Sequence, residues 1–536
     1  MTAQTKKTRI DKVIFSVIGV ITAAKLLGFV KQIFVSGAFG ATLDTDIINI
    51  AQTVIGDLEY LLSHVLMTSF ITVYLNASAE DGRGALFAGN AVRAFLLLSA
   101  GASVLFLAGA YPLSRLLAPS YSPQDTARLA RYLRIYTPLL LLFAMSAASQ
   151  ALLSANKRFA AVEARGITQS VIIIAAIALL GGRLGADALV VGSFLCTAVN
   201  TVWFYLLSAR YLRAPGVALP DSPPRRPFDC FRDPLVRRLI GMSGPLLAGY
   251  SAYYVGQQIN KSLASGLGAG AVTELGCGTV LFNLVTAFIT AFCSIMFSYV
   301  TAKIACGSHL SAARTANLTA VLLIAVFMPV SVIAGVLAPD ISRIAFGRGQ
   351  FSDKNVASTA MALAGYSLSF IPFAVGEVYG RVQYGYGDAR RPMLNSVTSI
   401  VCGIVLSILL SRRLGVAGIT LSYSISAFVV GGLNLMTSQR HNRALSLRPL
   451  LPFLPFLAIG GAYCFGAVCR CRELLSGISP ILRFLASGVA GLGIYCAVLA
   501  LGAALMLRRF GGKGSVKEKI RRCADGFLCT PAADQT

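Results

Sequence analysis

Two lysines, Lys25 and Lys31, stand inside the first long apolar stretch of the chain. A charge at the centre of a bilayer costs about 2.5–3.5 kcal/mol on insertion scales. A first membrane helix that keeps two of them puts them to use, most simply to meet a negatively charged substrate. They are six residues apart, about 9 Å along a helix and about 120° around it. They can therefore edge a wide cavity, though not one narrow stripe. The competing reading is snorkelling of both side chains to the interface.

Other candidates follow. The second apolar segment holds Asp46, Asp57, Glu59 and His64. Asp57 and His64, seven residues apart, share a face. These groups could balance the lysines, relay protons or line a polar cavity. Asp46 stands where its helix begins, so it also suits a cap against the helix dipole. Gln257, Gln258, Asn260 and Lys261 lie on the seventh segment and Asn283 on the eighth. On the tenth, Glu377 and Arg381 are four apart, the spacing of an intrahelical ion pair. Together these are the expected substrate-binding residues. No nucleophile–base set, phosphate loop or zinc signature is present. The twelve cysteines are scattered, with only Cys469 and Cys471 close together, and read as apolar packing. A transporter is expected rather than an enzyme. No cofactor or metal is expected, apart from a coupling ion (H⁺ or Na⁺) or the membrane potential.

The elements that must position these residues are membrane helices. Of 536 residues, 56% are hydrophobic and 13% charged, against about 25% charged in soluble domains. Mean hydropathy is +0.71. The apolar runs are about 20 residues or longer, too long for membrane β-strands, so an all-α integral membrane protein is expected. Fourteen apolar segments can be counted between residues 12 and 507. Those near 46–76 and 270–302 are long enough to require tilt. The net charge of +25 would suggest nucleic acid in a soluble protein. Here it reads as positive-inside bias, with no nucleic-acid partner. The basic start, Lys6, Lys7, Arg9 and Lys12, places the N-terminus in the cytoplasm. An even segment count returns the C-terminus to the same side. A cleaved signal peptide is rejected, because Lys25 interrupts the run and no small-residue site closes it.

A basic stretch at 211–235 carries Pro215, Pro220, Pro223, Pro224, Pro227 and Pro234. It cannot span a membrane and reads as a cytoplasmic linker. It separates an N-terminal lobe at 1–210, with six helices, from a C-terminal lobe at 236–440, also with six. Two more helices fill 441–508, and a basic tail fills 509–536. The halves repeat. Arg183-Leu184-Gly185 recurs as Arg413-Leu414-Gly415, and Gly40-Ala41 with Thr45-Asp46 recurs as Gly268-Ala269 with Thr273-Glu274. Parallel six-helix halves are a transporter architecture.

Several stretches resemble one family. Ala24-Lys25-Leu26-Leu27-Gly28-Phe29-Val30-Lys31-Gln32, then Phe39-Gly40-Ala41 and Thr45-Asp46, resembles the first helix and turn of the MurJ (MviN) flippases of the MOP exporter superfamily. Ala155-Asn156-Lys157-Arg158-Phe159 and the turn from Tyr384 to Pro392 resemble two further motifs of that family. The resemblance implies two six-helix lobes around a cationic cavity, with the last two helices forming a lipid-tail groove. It implies transfer of a polyprenyl-pyrophosphate-linked glycan, the peptidoglycan precursor lipid II, from the inner to the outer leaflet by alternating access. The implied setting is the bacterial cytoplasmic (inner) membrane, with the bilayer and other cell-wall synthesis proteins as partners. Lys25, Lys31 and Asp46 fall on functional charges of the family. Lysine replaces arginine at the first two. The family's arginine pair in the second helix falls near Glu59-Tyr60, its following glutamate near His64, and its arginine early in the eighth helix near Gly278. The alternatives are a flippase for another lipid-linked polysaccharide, a cation-coupled multidrug exporter of the same superfamily, and a non-transporting scaffold of an envelope complex.

Overall fold

The computed structural model describes residues 3–80, 84–156, 158–212, 227–448 and 453–510. Most of the 211–235 linker and nearly all of the basic tail lie outside these residues. So do the side chains of Lys6, Lys7, Arg9, Lys12 and His64. The described residues are helical throughout, with no strand among them. In chain order the helices are α1 (Ala3–Phe39), α2 (Leu43–Glu80), α3 (Gly84–Leu117), α4 (Pro123–Tyr136), α5 (Leu139–Ala155), α6 (Phe159–Glu163), α7 (Arg165–Leu184) and α8 (Asp187–Leu212). After a short 3₁₀ turn come α9 (Pro234–Ser265), α10 (Ala271–Ala305), α11 (His309–Val336), α12 (Ala338–Phe346) and α13 (Asp353–Ser367). The chain then continues through α14 (Phe370–Gly385), α15 (Arg390–Leu414), α16 (Val416–Ser438), α17 (Leu454–Leu474) and α18 (Pro480–Phe510).

This is a multi-pass membrane protein, but the expected count of fourteen spans is not confirmed. Among the described residues ten helices are long and apolar enough to cross a membrane, and up to twelve spans result if each of two bent pairs counts once. α2 and α9 are not among them.

The repeat is written into the backbone. Ser122 and Ser352, 230 residues apart, each cap a helix by accepting from the backbone N–H three residues on. The α4–α5 pair bends by 43° and the α13–α14 pair by 44°. In the first pair Pro138 stands at the break, where its ring denies the helix an N–H. Gly185 ends α7 at φ 56°, ψ −138°, and Gly415 ends α15 at φ 59°, ψ −136°. That conformation favours glycine, which is why Arg-Leu-Gly recurs.

Two compact units are present. The first comprises 1–273 with 349–351, and the second 274–348 with 352–536. The division falls at Thr273, not at the linker. α9, expected in the C-terminal lobe, packs with the helices before it. In the first unit Ser69 and Ser243 hydrogen-bond between α2 and α9 at 3.0 Å. Phe70, Phe87 and Ala147 are among the apolar residues of its core. α1 continues through Gly37 to Phe39, so the turn to α2 is confined to Gly40, Ala41 and Thr42. Its Gly40 has φ 62°, and a Cβ there would lie 2.6 Å from the Gln350 carbonyl oxygen.

In the second unit Phe282 stacks on Tyr366 at 4.8 Å and meets Tyr423 edge-on. The α17–α18 hairpin is fixed at its turn. Arg483 on α18 pairs with the fully buried Asp340 of α12, and Arg472 Nε on α17 lies 3.3 Å from the same carboxylate.

Candidate functional site

Asp57 and Glu59 are two residues apart on α2, about 200° around the helix, so they serve different neighbours. Asp57 turns to α9. Its Oδ2 accepts from Gln258 Nε2 at 2.6 Å, and Lys261, one turn further, is in electrostatic reach. Glu59 turns to α7, where its Oε1 pairs with Arg165 Nη2. The Arg165 guanidinium also stands 5.6 Å from the ring centroid of Tyr60. Beside this pair is a cavity of about 50 Å³ with a mixed lining, Gln52, Glu59, Arg165, Ser193 and Asn200 on one hand and Ile55, Leu139 and Phe143 on the other. Gln52 Nε2 donates to Ser193 Oγ at 2.9 Å, and Thr168 Oγ1 donates to Asn200 Oδ1 at 2.6 Å.

Lys25 is exposed and Lys31 half-buried. Neither makes an ion pair among the described residues. α1 runs against α7 beside them: a Cβ on Gly166 would lie 2.8 Å from Ala24 Cβ. Lys31 and Arg165 both reach Cys196 electrostatically. Lys31 and Arg165, from two touching helices, thus come together near Cys196, while Lys25 stands exposed on α1.

Asp46 is elsewhere. It is fully buried and caps α10 rather than its own helix. Oδ1 accepts from the Thr273 N–H at 2.8 Å and the Thr273 hydroxyl at 2.7 Å. Oδ2 accepts from the Gly270 N–H at 2.8 Å and the Val272 N–H at 3.4 Å. With its lone pairs committed to four donors, Asp46 does not balance the lysines. Gln257 Nε2 donates to Tyr253 on its own helix at 3.1 Å. Asn260 Oδ1 is buried with no hydrogen-bond partner among the described residues.

Asn283, Glu377 and Arg381 belong to the second unit. Asn283 is exposed. Arg381 donates from Nε to Glu377 at 3.0 Å and from Nη1 to Ser294 at 2.9 Å. Their spacing-implied pair therefore forms and ties α14 to α10.

Set against known proteins, residues 35–477 match the model of the family described as "Lipid II flippase MurJ". The chain belongs to the MurJ family. A "Probable lipid II flippase MurJ" of Rhizobium meliloti is 23% identical, over 95% of this chain and 97% of its own length. One from Borreliella burgdorferi is 25% identical, over 76% and 79%. A solved structure described as "Lipid II flippase MurJ, inward closed conformation" superposes with a TM-score of 0.72. It covers 92% of this chain and 99% of its own at 15% identity. An inward-facing multidrug MATE transporter of the MOP superfamily reaches 0.63 at 13% identity, covering 81% and 98%. Both share the fold.

Arg165 is the site residue that sequence reasoning passed over. It stands at the very start of α7, where a cation reads as one more positive-inside charge. Only the packing of α7 on α2 shows that it turns inward to Glu59.

Proposed function

We propose that this chain is a lipid II flippase, carrying the polyprenyl-pyrophosphate-linked precursor from the inner to the outer leaflet by alternating access. The observation that carries the reading is the family match across residues 35–477. The cations on α1 and α7 supply a physical basis. Lys25, Lys31 and Arg165 offer a diphosphate positive charge in a region of low dielectric, where one charge pair is worth several times its value in water. Arg165 adds the planar donor fork that the two lysines lack. A cation-coupled drug exporter would favour an acidic cavity, and these cations argue against it.

The remaining assignments belong to the same proposal. The protein resides in the bacterial inner membrane with both termini cytoplasmic. H⁺, Na⁺ or the membrane potential drives the cycle, and α17 with α18 accommodates the polyprenyl tail. The test is complementation of a strain depleted of its lipid II flippase, read out as lipid II exposed on the outer leaflet. Wild-type protein is expected to rescue, and Lys25→Ala to insert normally yet fail. No rescue by correctly inserted wild-type protein overturns the reading.

A further inference from the structure

The pairing of Arg165 with Glu59 is not explained by stability. An ion pair taken out of water is often no better than well-packed apolar residues in its place, and charged groups inside membrane segments mark function by default. The pair also has an asymmetric setting. Glu59 is enclosed, its side chain 7% exposed, and Arg165 is 14% exposed. Tyr60, on whose ring the guanidinium rests, is 46% exposed. The cation therefore bridges an enclosed acid on one side and an open aromatic on the other. A guanidinium has five N–H donors in a fixed fork, and the one contact with Glu59 runs through Nη2.

The surrounding charges favour an anion. Lys25 and Lys31 on α1 carry no ion pair among the described residues. α1 touches α7 at Ala24 and Gly166. The acids in reach of Tyr60 are Glu59, Asp57 and Glu163. Asp57 is engaged by Gln258 and Lys261. Lys31, which reaches Cys196 together with Arg165, therefore adds a positive charge beside the Arg165–Glu59 pair.

The geometry points to Arg165 as a displaceable ligand for the diphosphate of the lipid headgroup, with Glu59 as the built-in competitor that holds it when the site is empty. The identity of the ligand rests on the proposed function. A transport site must bind firmly enough to load and weakly enough to release. An internal carboxylate competing for the same guanidinium sets that balance. Diphosphate oxygens approaching on the Tyr60 side take donors other than Nη2. Glu59 then loses its partner beside the cavity, whose polar residues Gln52, Ser193 and Asn200 can solvate it through water.

The test is binding to the full chain in lipid nanodiscs. The probes are undecaprenyl pyrophosphate, inorganic pyrophosphate and uncharged undecaprenol. Wild type is expected to bind the lipid diphosphate and not the alcohol. Competition by inorganic pyrophosphate would show that the headgroup alone is read; its absence would show that the tail is also required, and in either case the variants decide. Glu59→Gln should bind the lipid diphosphate about tenfold more tightly, and Arg165→Gln about tenfold more weakly, the size of one partly screened charge pair. Arg165→Lys should fall between wild type and Arg165→Gln. A structural pair predicts the same sign for both neutralisations, so loss of binding, or no change, in a folded Glu59→Gln overturns the inference while leaving the flippase reading intact. If Arg165→Gln does not fold, Glu59→Gln decides alone. Failure of wild type to bind any diphosphate lipid overturns both.

Discussion

The two units share local devices but differ in interior chemistry. Both have a serine-capped helix, a bend of 43° or 44°, and a glycine-ended helix at the same repeat positions. The first unit links its helices with charge, through Glu59–Arg165 and through Asp57 with Gln258 and Lys261. The second links α11, α14, α15 and α16 with neutral hydrogen bonds. Asn434 Nδ2 donates to the Gly376 carbonyl at 3.1 Å, Asn395 Nδ2 donates to Asn434 Oδ1 at 2.8 Å, and Tyr379 donates to Asn317 at 3.0 Å. Its Glu377–Arg381 pair lies within one helix, and its inter-helix ion pairs, Arg472 and Arg483 with Asp340, sit at the α17–α18 turn. One scaffold therefore supports two roles. Neutral amides hold helices together without attracting an ion, whereas unbalanced cations invite a ligand.

The largest effect expected on that contrast comes from Asp46→Ala. It would leave the Gly270, Val272 and Thr273 N–H groups without their acceptor. A helix start is already short of partners, so the cost is about 3 kcal/mol. A drop in melting temperature in detergent should report it. An unchanged melt would mean that water replaces the carboxylate, and that the first unit does not depend on buried charge as argued.

Much of the fold could be read from the chain, because membrane helices and their ends are local. Arg-Leu-Gly marks two helix ends at any level of description. Lys25 and Lys31 could be singled out because a charge in an apolar run is conspicuous. The partners could not. Asp46 meets residues more than 220 positions away, and nothing in its own helix distinguishes a distant cap from a cavity acid. Arg165 went unnoticed for the same reason, because its partner Glu59 stands on another helix far back in the chain. Asp340, which joins Arg472 and Arg483, lies in a nine-residue helix that apolar-run counting does not resolve. Long-range pairing, not local propensity, decides which charges become a site.

Smaller effects sharpen the second unit's side of the comparison. Asn434→Leu removes hydrogen bonds to α14 and α15, and at about 1 kcal/mol for inter-helix bonds in membranes it should lower the melting temperature by a few degrees at most. Rescue of outer-leaflet lipid II exposure should persist, since the amide binds no ligand. Loss of transport with normal stability would move a ligand contact into the second unit. Glu377→Gln should cost less still, about 0.5 kcal/mol for a pair within one helix, measured by the same melt. A cost several times larger would mean that the Arg381–Ser294 link to α10 depends on Glu377, and the contrast with Glu59–Arg165 would narrow.

The smallest expected effect tests one repeated link that differs only in residue type. In the first unit Arg158 Nε donates to the Tyr211 hydroxyl at 3.4 Å. At the positions 230 residues later, Asp388 Oδ2 lies 3.0 Å from His441 Nε2. The Asp388 side belongs to the turn between α14 and α15, outside the spans. Its carboxyl is held below the usual range, chiefly by the Arg391 backbone N–H, then by His441 and the Arg391 guanidinium. Tyr386 stacks on the His441 ring from one side and on His309 from the other. Because the folded carboxyl binds a proton less readily than the unfolded one, its contribution is fully present above the unfolded value of about 3.9 and is lost as pH falls through the lower folded value. Asp388→Asn should therefore flatten the acid end of the stability profile and leave its neutral region nearly unchanged. Arg158→Gln should leave the acid end unaltered, because that link contains no carboxylate. If both variants change the acid end alike, the titration belongs to groups shared by the two units, and the repeated link differs in sequence without differing in behaviour.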